Sequence, residues 1–197
     1  SSSKWLKNEI EEIKNIKNLE IKTRTSVAAY HQYNYLLARE NLTDHLEKKD
    51  KTNKIRQRLL KIRAKKVILA TGALERPMVF NNNDRPGIML SSAIKKYSDF
   101  YGVACGSKIV FFTNNDSAYE SAVSLNDKGI KVEAVVDIRK QSESNLEKRV
   151  IDAGIKIYWE HTVVDTSGYK RLNNVSIMKL SNDGTSVTGN KISISCD

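Results

Sequence analysis

Apolar residues in the first third of the chain recur first at helical and then at strand-like spacing. Ser3–Ile16 places one leucine and three isoleucines on one helical face, with Lys, Asn and Glu opposite, which predicts a helix. Alternation of covered and polar positions then predicts three extended segments, which together would form a small antiparallel meander. These are Leu19–Thr25, the tyrosine-rich Val27–Ala38, and Arg58–Arg63. Glu47–Lys54, which has no apolar residue, predicts a solvated turn between them.

Lys65–Pro77 (KKVILATGALERP) is the stretch around which these elements are expected to be arranged. Its run Val67–Ala70 is apolar at every position, a pattern typical of a strand covered on both faces by helices. The run ends at Thr71 and Gly72. Glycine lets a ligand approach the backbone closely, and open α/β sheets bind cofactors at the carboxyl ends of their strands. The turn is therefore a candidate cofactor contact, with an ordinary strand-to-loop turn as the alternative.

The middle of the chain predicts a nested βαβ unit with parallel strands and right-handed crossovers. A hinge rich in Asn, Asp, Pro and Gly comes first, and Ser144 with Glu147 suggests a capping box at a later helix. The expected elements are the hinge Asn81–Gly87, a helix over Ser91–Tyr101, a strand over Ser107–Phe112, a helix over Asp116–Lys128, a strand over Lys131–Ile138, a helix from Ser144 to Gly154, and a strand over Ile155–Trp159. Thr162–Cys196 then predicts three short strands, with a hairpin turn at Asn182–Gly184.

The first strand–turn–helix of this unit departs from the glycine-rich fingerprint of dinucleotide-binding folds. Aligned on G-x-G-x-x-G/A, the three glycine positions fall on Thr113, Asn115 and Ala118. Only Ala118 keeps a small side chain, and the other two would occupy the space that a pyrophosphate needs. Asn115 could still adopt a left-handed conformation. Asp137, at the end of the next strand, stands where a ribose-binding acid would lie, but we interpret it as a strand-end residue. The sequence predicts Rossmann topology without a competent dinucleotide site here.

Composition narrows the function classes. The 197 residues are 40% apolar and 28% charged, which is ordinary for a soluble protein, and no apolar run is long enough to cross a bilayer. No signal-peptide pattern is present, and Cys105 and Cys196 form no C-x-x-C motif, so we expect a cytoplasmic protein with reduced thiols. The net charge is +10, but the basic residues are spread out and mixed with acids. This favours a solvated basic surface or a contact with an acidic partner over nucleic-acid binding.

No catalytic or metal-binding constellation stands out. His31, His45 and His161 are scattered, without cysteine or carboxylate at ligand spacing, and no Ser/His/Asp, Cys/His or paired-carboxylate arrangement appears. The tyrosines around position 33 suit sheet packing better than a stacking platform. Arg85 in the hinge either pairs with a partner or cofactor or, more simply, is held by a carboxylate. We therefore assign no catalytic residue and no metal ligand to this chain.

Three runs together resemble the alpha subunit of heterotetrameric sarcosine oxidase, over nearly all of Leu19–Arg139. They are TRTSVAAYHQYNYLLARENLTDHL, RQRLLKIRAKKVILATGALERPMVFNNNDRPGIML and VFFTNNDSAYESA, the last with its unusual TNNDSAY turn. Subunits of amine and opine oxidases and of hydrogen cyanide synthase look related and remain an alternative, as does a basic, non-enzymatic binding module. The resemblance implies the organisation of flavoproteins with two dinucleotide-binding domains. In these proteins the second domain is inserted into the first, just after the strand that ends in the Ala-Thr-Gly sequence found here at residues 70–72.

The resemblance also carries functional expectations. It implies an α/β fold, a Rossmann-like βαβ domain of the FAD/NAD(P)-binding type with a flanking antiparallel β meander. Residues 1–77 would belong to the first dinucleotide-binding domain, 78–160 to the inserted domain with its degenerate glycine loop, and 161–197 to a β meander returning towards the first. We expect an internal fragment of the subunit, inactive alone and lacking both the first glycine-rich loop and the folate-binding region.

Within the complex, the resemblance implies oxidation of the CH–NH group of sarcosine on a flavin held by a partner subunit. The alpha subunit would carry a non-catalytic NAD, and the positions matched to its pocket here are Val27, Thr71 and Gly72. Expected partners are the beta, gamma and delta subunits, with no nucleic acid and no membrane.

Overall fold

The computed structural model describes residues 2–47, 50 and 54–197. The chain divides into two compact units, Ser1–Gly72 and Ala73–Asp197. Most of the predicted charged turn at 47–54 lies outside the described residues.

The first unit consists of a helix and a three-stranded antiparallel sheet. Its elements are α1 (Ser2–Lys14), β1 (Thr25–His31), β2 (Tyr35–Asn41) and β3 (Gln57–Arg63), with β2 in the centre of the sheet. The predicted N-terminal helix and the strand at 58–63 are confirmed. The predicted extended segment 27–38 is instead a hairpin, because Tyr33 and Asn34 adopt left-handed backbone angles in a short 3-10 turn between β1 and β2.

Two predicted strands of this unit are wrong. Leu19–Thr25 contains no strand before Thr25, where β1 begins. Val67–Ala70 has no regular secondary structure, and its Ile68 and Leu69 are 90% and 68% exposed. An apolar run becomes a strand only where a neighbouring strand satisfies its backbone N–H and C=O groups, since strand propensity depends on context. No strand in the described part of the chain pairs with this run.

The second unit contains the predicted βαβ arrangement followed by an antiparallel meander. Its elements are α2 (Ser91–Tyr101), β4 (Lys108–Thr113), α3 (Ser117–Asn126), β5 (Lys131–Asp137), α4 (Asn145–Asp152), β6 (Lys156–Trp159), β7 (His161–Ser167), β8 (Asn174–Leu180) and β9 (Val187–Ser195). Strands β4, β5 and β6 pair in parallel in that order, and β7, β8 and β9 pair antiparallel. The α/β fold, with a parallel Rossmann-like sheet and flanking meander, is confirmed.

Two apolar clusters lie on the parallel sheet. One packs α3 and α4 against it, with Tyr119, Leu125 and Val150 almost fully buried. The other packs the meander against it, around Val136 and Ile177. The helices and the meander thus hold the carboxyl ends of β4 and β5 in place, where a Rossmann fold would bind its ligand.

The α4 helix begins as predicted at Ser144, whose hydroxyl accepts a hydrogen bond from the Glu147 N–H at 3.2 Å. The carboxylate of Glu147 bonds instead to the N–H and hydroxyl of Ser142, at 3.0 and 2.8 Å. The start of the helix is therefore anchored through two serines rather than through a reciprocal capping box.

Candidate functional site

The turn between β4 and α3 forms its own closed hydrogen-bond system. The hydroxyl of Thr113 donates to the Asn115 carbonyl at 2.8 Å and accepts from the Asn115 N–H at 3.1 Å. The side-chain oxygen of Asn115 accepts from the N–H and hydroxyl of Ser117, at 3.0 and 2.6 Å. Asn115 does not adopt the left-handed conformation that asparagine would allow at this position. Since two N–H groups that could face a phosphate already have side-chain partners, the turn lacks their free donors.

The third glycine position behaves as the fingerprint requires. Ala118 is almost fully buried in the cluster between α3 and the parallel sheet. A larger side chain there would push the helix away from the strand. The helix therefore keeps the close packing of a Rossmann fold although the phosphate loop has changed.

Asp137, at the carboxyl end of β5, is fully engaged by side chains of this chain. Only 1% of its surface is exposed, and its carboxylate accepts from the Arg139 guanidinium at 2.8–3.3 Å and from the Arg139 N–H at 2.8 Å. The Tyr119 hydroxyl donates to the same carboxylate at 2.7 Å, and Arg139 reaches on to Asp116 at 2.8 Å. We call Asp116, Tyr119, Asp137 and Arg139 the Arg139 network.

This network shifts the pKa of two of its members, Tyr119 and Arg139. Burial, followed by the hydrogen bond to Asp137, raises the pKa of Tyr119 well above its ordinary value. The hydrogen bond to the Asp137 carboxylate raises the pKa of Arg139 despite partial burial. The tyrosine therefore stays neutral and the arginine charged, and the carboxylate has no vacant position facing a ribose. The geometry suits a fixed structural corner rather than proton transfer.

The three positions matched to an NAD pocket are all in the first unit. Val27 lies on β1 opposite Ala38 and is 60% exposed. Thr71 and Gly72 are exposed and lie outside regular secondary structure. Gly72 has a φ of 72°, and a Cβ built on it would meet no atom within 4 Å. A cofactor could thus approach bare backbone at Gly72, and the strained left-handed angle explains why glycine suits this position.

A cavity of about 820 Å³ in the second unit was not foreseen from the sequence. It runs along β4, whose Ile109–Thr113 all contribute to its wall, and Phe80 and Leu172 close it from other segments. All five consecutive residues of a strand can line one space because β4 is an edge strand, paired only with β5 among the described strands. The cavity is within the size range of sites that bind small organic ligands.

Segment 73–92 of the cavity wall is fastened by side chains. The Glu75 carboxylate accepts from the N–H groups of Ser91 and Ser92 at 3.0 and 2.8 Å, so it caps the start of α2 from a distant position. The hinge residue Arg85 donates to the Gly168 carbonyl and, at 3.4 Å, to the Thr166 hydroxyl. The expectation of a carboxylate partner for Arg85 is therefore wrong. Spacing alone could not reveal these long-range partners.

In the part of the chain described, no three His, Cys, Asp or Glu side chains are arranged to hold a metal. Both cysteines are free thiols, and burial raises the pKa of Cys196 to about 11. None of the helices in the described ranges has the length and apolar character that a bilayer crossing requires.

The chain is similar in sequence to part of a known enzyme subunit. It is 41% identical over 162 residues to sarcosine oxidase subunit alpha of Corynebacterium sp. strain P-1, an alignment that covers 81% of this chain and 16% of that subunit. The subunit alpha of Rhizobium meliloti strain 1021 is 32% identical over 167 residues, covering 85% and 16% respectively. No protein-family model matches. The resemblance expected from the sequence is confirmed, and this chain spans about one sixth of those relatives' length.

Among solved structures, reduced Bacillus anthracis CoADR-RHD has a similar fold. The superposition covers 95% of this chain and 31% of that one. The TM-score is 0.51 at 16% sequence identity, so the likeness concerns the fold alone.

Proposed function

We propose that this chain is part of the alpha subunit of an oxidoreductase complex that oxidises the CH–NH group of sarcosine. The observation that carries the proposal is the identity of 41% over 162 residues with a sarcosine oxidase alpha subunit. The chain itself would serve as scaffold. This role fits the closed β4–α3 turn and the Arg139 network, whose hydrogen-bonding groups are already paired within the chain.

The same proposal assigns part of a non-catalytic NAD pocket to the first unit. The contact residues are Val27, Thr71 and Gly72, which would bind through backbone groups rather than side chains. Gly72 fits this role because its left-handed angle and the open space around it leave the backbone accessible. Val27 fits because it is exposed and lies on β1, an edge strand that pairs only with β2 among the described strands. NAD bound here would add no redox chemistry of its own to the reaction.

The 197-residue chain is expected to bind NAD weakly. A pyrophosphate is normally seated on a glycine-rich loop before a helix, and this sequence contains no G-x-G-x-x-G. The proposal also expects partner subunits, including one that holds a flavin and supplies the oxidation. The domain boundaries proposed above, 1–77, 78–160 and 161–197, would follow the inserted-domain organisation of these flavoproteins.

The test compares this chain with the full-length gene product co-expressed with its neighbouring subunits. Oxygen uptake with sarcosine, against opines and glycine as alternative substrates, tests the substrate. Calorimetric titration with NAD tests the pocket, with Gly72→Val expected to weaken binding about tenfold by placing a side chain at the bare backbone. A matched Gly129→Val change at a second left-handed glycine, in the turn after α3, should leave NAD affinity unchanged. Oxidation of another amine but not of sarcosine would reject the substrate assignment.

A further inference from the structure

The positive charge of this protein is concentrated in its first unit. Residues 1–72 contain 17 Lys and Arg against 8 Asp and Glu, and residues 73–197 contain 16 against 15. Nine of the ten net positive charges are thus carried by the first unit. A negatively charged partner would therefore be attracted mainly to this unit.

One face of the β1–β2–β3 sheet carries cations and no carboxylate. Side chains alternate between the two faces of a sheet, and the register pairs Tyr35 with Arg63, Leu37 with Lys61, and Arg39 with Leu59. We call these six residues the basic face. The three strands contain one carboxylate, Glu40, which belongs to the alternate set of side chains and pairs with Arg58 at 3.6 Å.

The three cations of the basic face are available to a partner. Arg39, Lys61 and Arg63 are exposed, and none of them has an ion-pair partner among the residues described. Lys61 and Arg63 are two residues apart on one strand, and Arg39 lies diagonally across from Lys61, so neighbouring cations are about 7 Å apart at their Cβ atoms. Such a spacing matches carboxylates on alternate residues of an extended chain.

We propose that the basic face is a docking surface for an acidic segment of a partner protein. Carboxylates suit it because Arg binds them through two parallel hydrogen bonds. The apolar Leu37 and Leu59 lie between the cations, so a partner would bury apolar surface at the centre of the contact. The inference is independent of the proposed enzymatic role.

Nucleic acid fits the same surface less well. Single-stranded bases stack on free aromatic faces, but the Arg63 guanidinium already lies over the Tyr35 ring, 5.3 Å from its centroid. The His31 ring, at 5.9 Å and tilted by 35°, is a further neighbour of the same tyrosine. Three cations also fall short of the roughly six to ten phosphate contacts of a typical duplex-binding protein.

The test measures binding of two labelled probes to the intact chain by fluorescence anisotropy. The probes are a poly-glutamate of about 20 residues and a random duplex DNA of about 20 base pairs, at about 50 and 150 mM salt. The face variant combines Arg39→Gln, Lys61→Gln and Arg63→Gln. The matched control combines Lys4→Gln, Lys7→Gln and Lys17→Gln, which removes equal charge from the same unit. Circular dichroism confirms folding, and Lys61→Gln alone serves if the triple variant does not fold.

We expect poly-glutamate to bind at least about tenfold more weakly to the face variant, and within about threefold of the unchanged chain to the control. The single Lys61→Gln should lose about threefold. Equal losses in face variant and control would show that only net charge acts and would overturn the proposal. So would absence of binding at the lower salt. Tighter binding of DNA than of poly-glutamate, lost in the face variant, would replace the acidic partner by nucleic acid.

Discussion

Arg139→Ala is expected to destabilise the second unit far more than its partly exposed position would suggest. The side chain is 35% exposed, but it pairs with Asp137, which is 1% exposed. Removing the guanidinium leaves a buried carboxylate with two remaining donors, the Tyr119 hydroxyl and the N–H of residue 139. The penalty arises from this uncompensated charge rather than from the lost contact itself.

The size of the effect follows from burial. Breaking a fully buried ion pair on one side costs about 3–5 kcal/mol. The partial exposure of Arg139 and the two donors that remain on Asp137 reduce this, and we expect a loss of about 2 kcal/mol in the free energy of unfolding. Asp116→Ala removes only the outer ion pair, whose carboxylate is 40% exposed, and should cost about 0.5 kcal/mol or less.

Urea unfolding followed by tryptophan fluorescence measures both changes. The chain has two tryptophans, and Trp5→Phe leaves Trp159, whose backbone pairs with Asp137 across β5 and β6, as the reporter for the second unit. Arg139→Ala combined with Asp137→Asn should recover at least about 1 kcal/mol of the loss, because the neutral amide needs no cation. A loss for Arg139→Ala no larger than for Asp116→Ala, or no recovery in the double variant, would refute the reasoning.

Three further predictions concern single side chains of the second unit. Burial raises the pKa of Glu75, but the hydrogen bonds from Ser92 and Ser91 outweigh it and lower the pKa below the ordinary value of 4.5. The stabilisation that the Glu75 carboxylate gives to α2 should therefore be complete above about pH 4.5 and lost as pH falls through the lower pKa of the folded state. Glu75→Gln should abolish this pH dependence in thermal unfolding. Because burial raises the pKa of Cys196 to about 11, native protein at pH 8 should react with a thiol reagent at one cysteine only and at both after unfolding; fast reaction of both in the native state would contradict this. Ser144→Ala should cost about 1 kcal/mol in urea unfolding by leaving the Glu147 N–H without its cap, whereas Ser144→Asp should cost little.

Most elements of the second unit could be predicted because several signals agreed there. In β5 the apolar run, the parallel crossover and the following cap at Ser144 all indicate the same arrangement. The first unit offered less agreement. Val67–Ala70 has the strongest strand pattern in it, yet this run has no paired neighbour among the described strands and remains exposed. Periodicity identifies which residues prefer burial but not whether a partner strand is present.

The candidate site was only partly predictable for a related reason. The loss of glycine at 113 and 115 is visible in the sequence, and so is an acid at the end of β5. Arg139 and Tyr119 both donate hydrogen bonds to this carboxylate, the latter from α3. These contacts depend on side-chain directions, which residue spacing does not determine. The D-x-R pattern at the strand end was the available signal, and it is too common to be specific. No local sequence signal indicates that Glu75 caps the start of α2, because the two are far apart along the chain.

The β4–α3 turn and the Arg139 network together explain how a Rossmann unit can be stable without a dinucleotide. In that fold a bound ligand satisfies the N–H groups at the helix start and the acid at the end of the second strand. Here Thr113 and Asn115 satisfy the former, and Arg139 satisfies the latter with a charge that stays on the protein. The stability of this unit should therefore be independent of nucleotide concentration, because a nucleotide that does not bind the folded unit cannot stabilise it by mass action. This independence suits a scaffold, because the segments packed against the unit keep their positions whether or not a nucleotide is present.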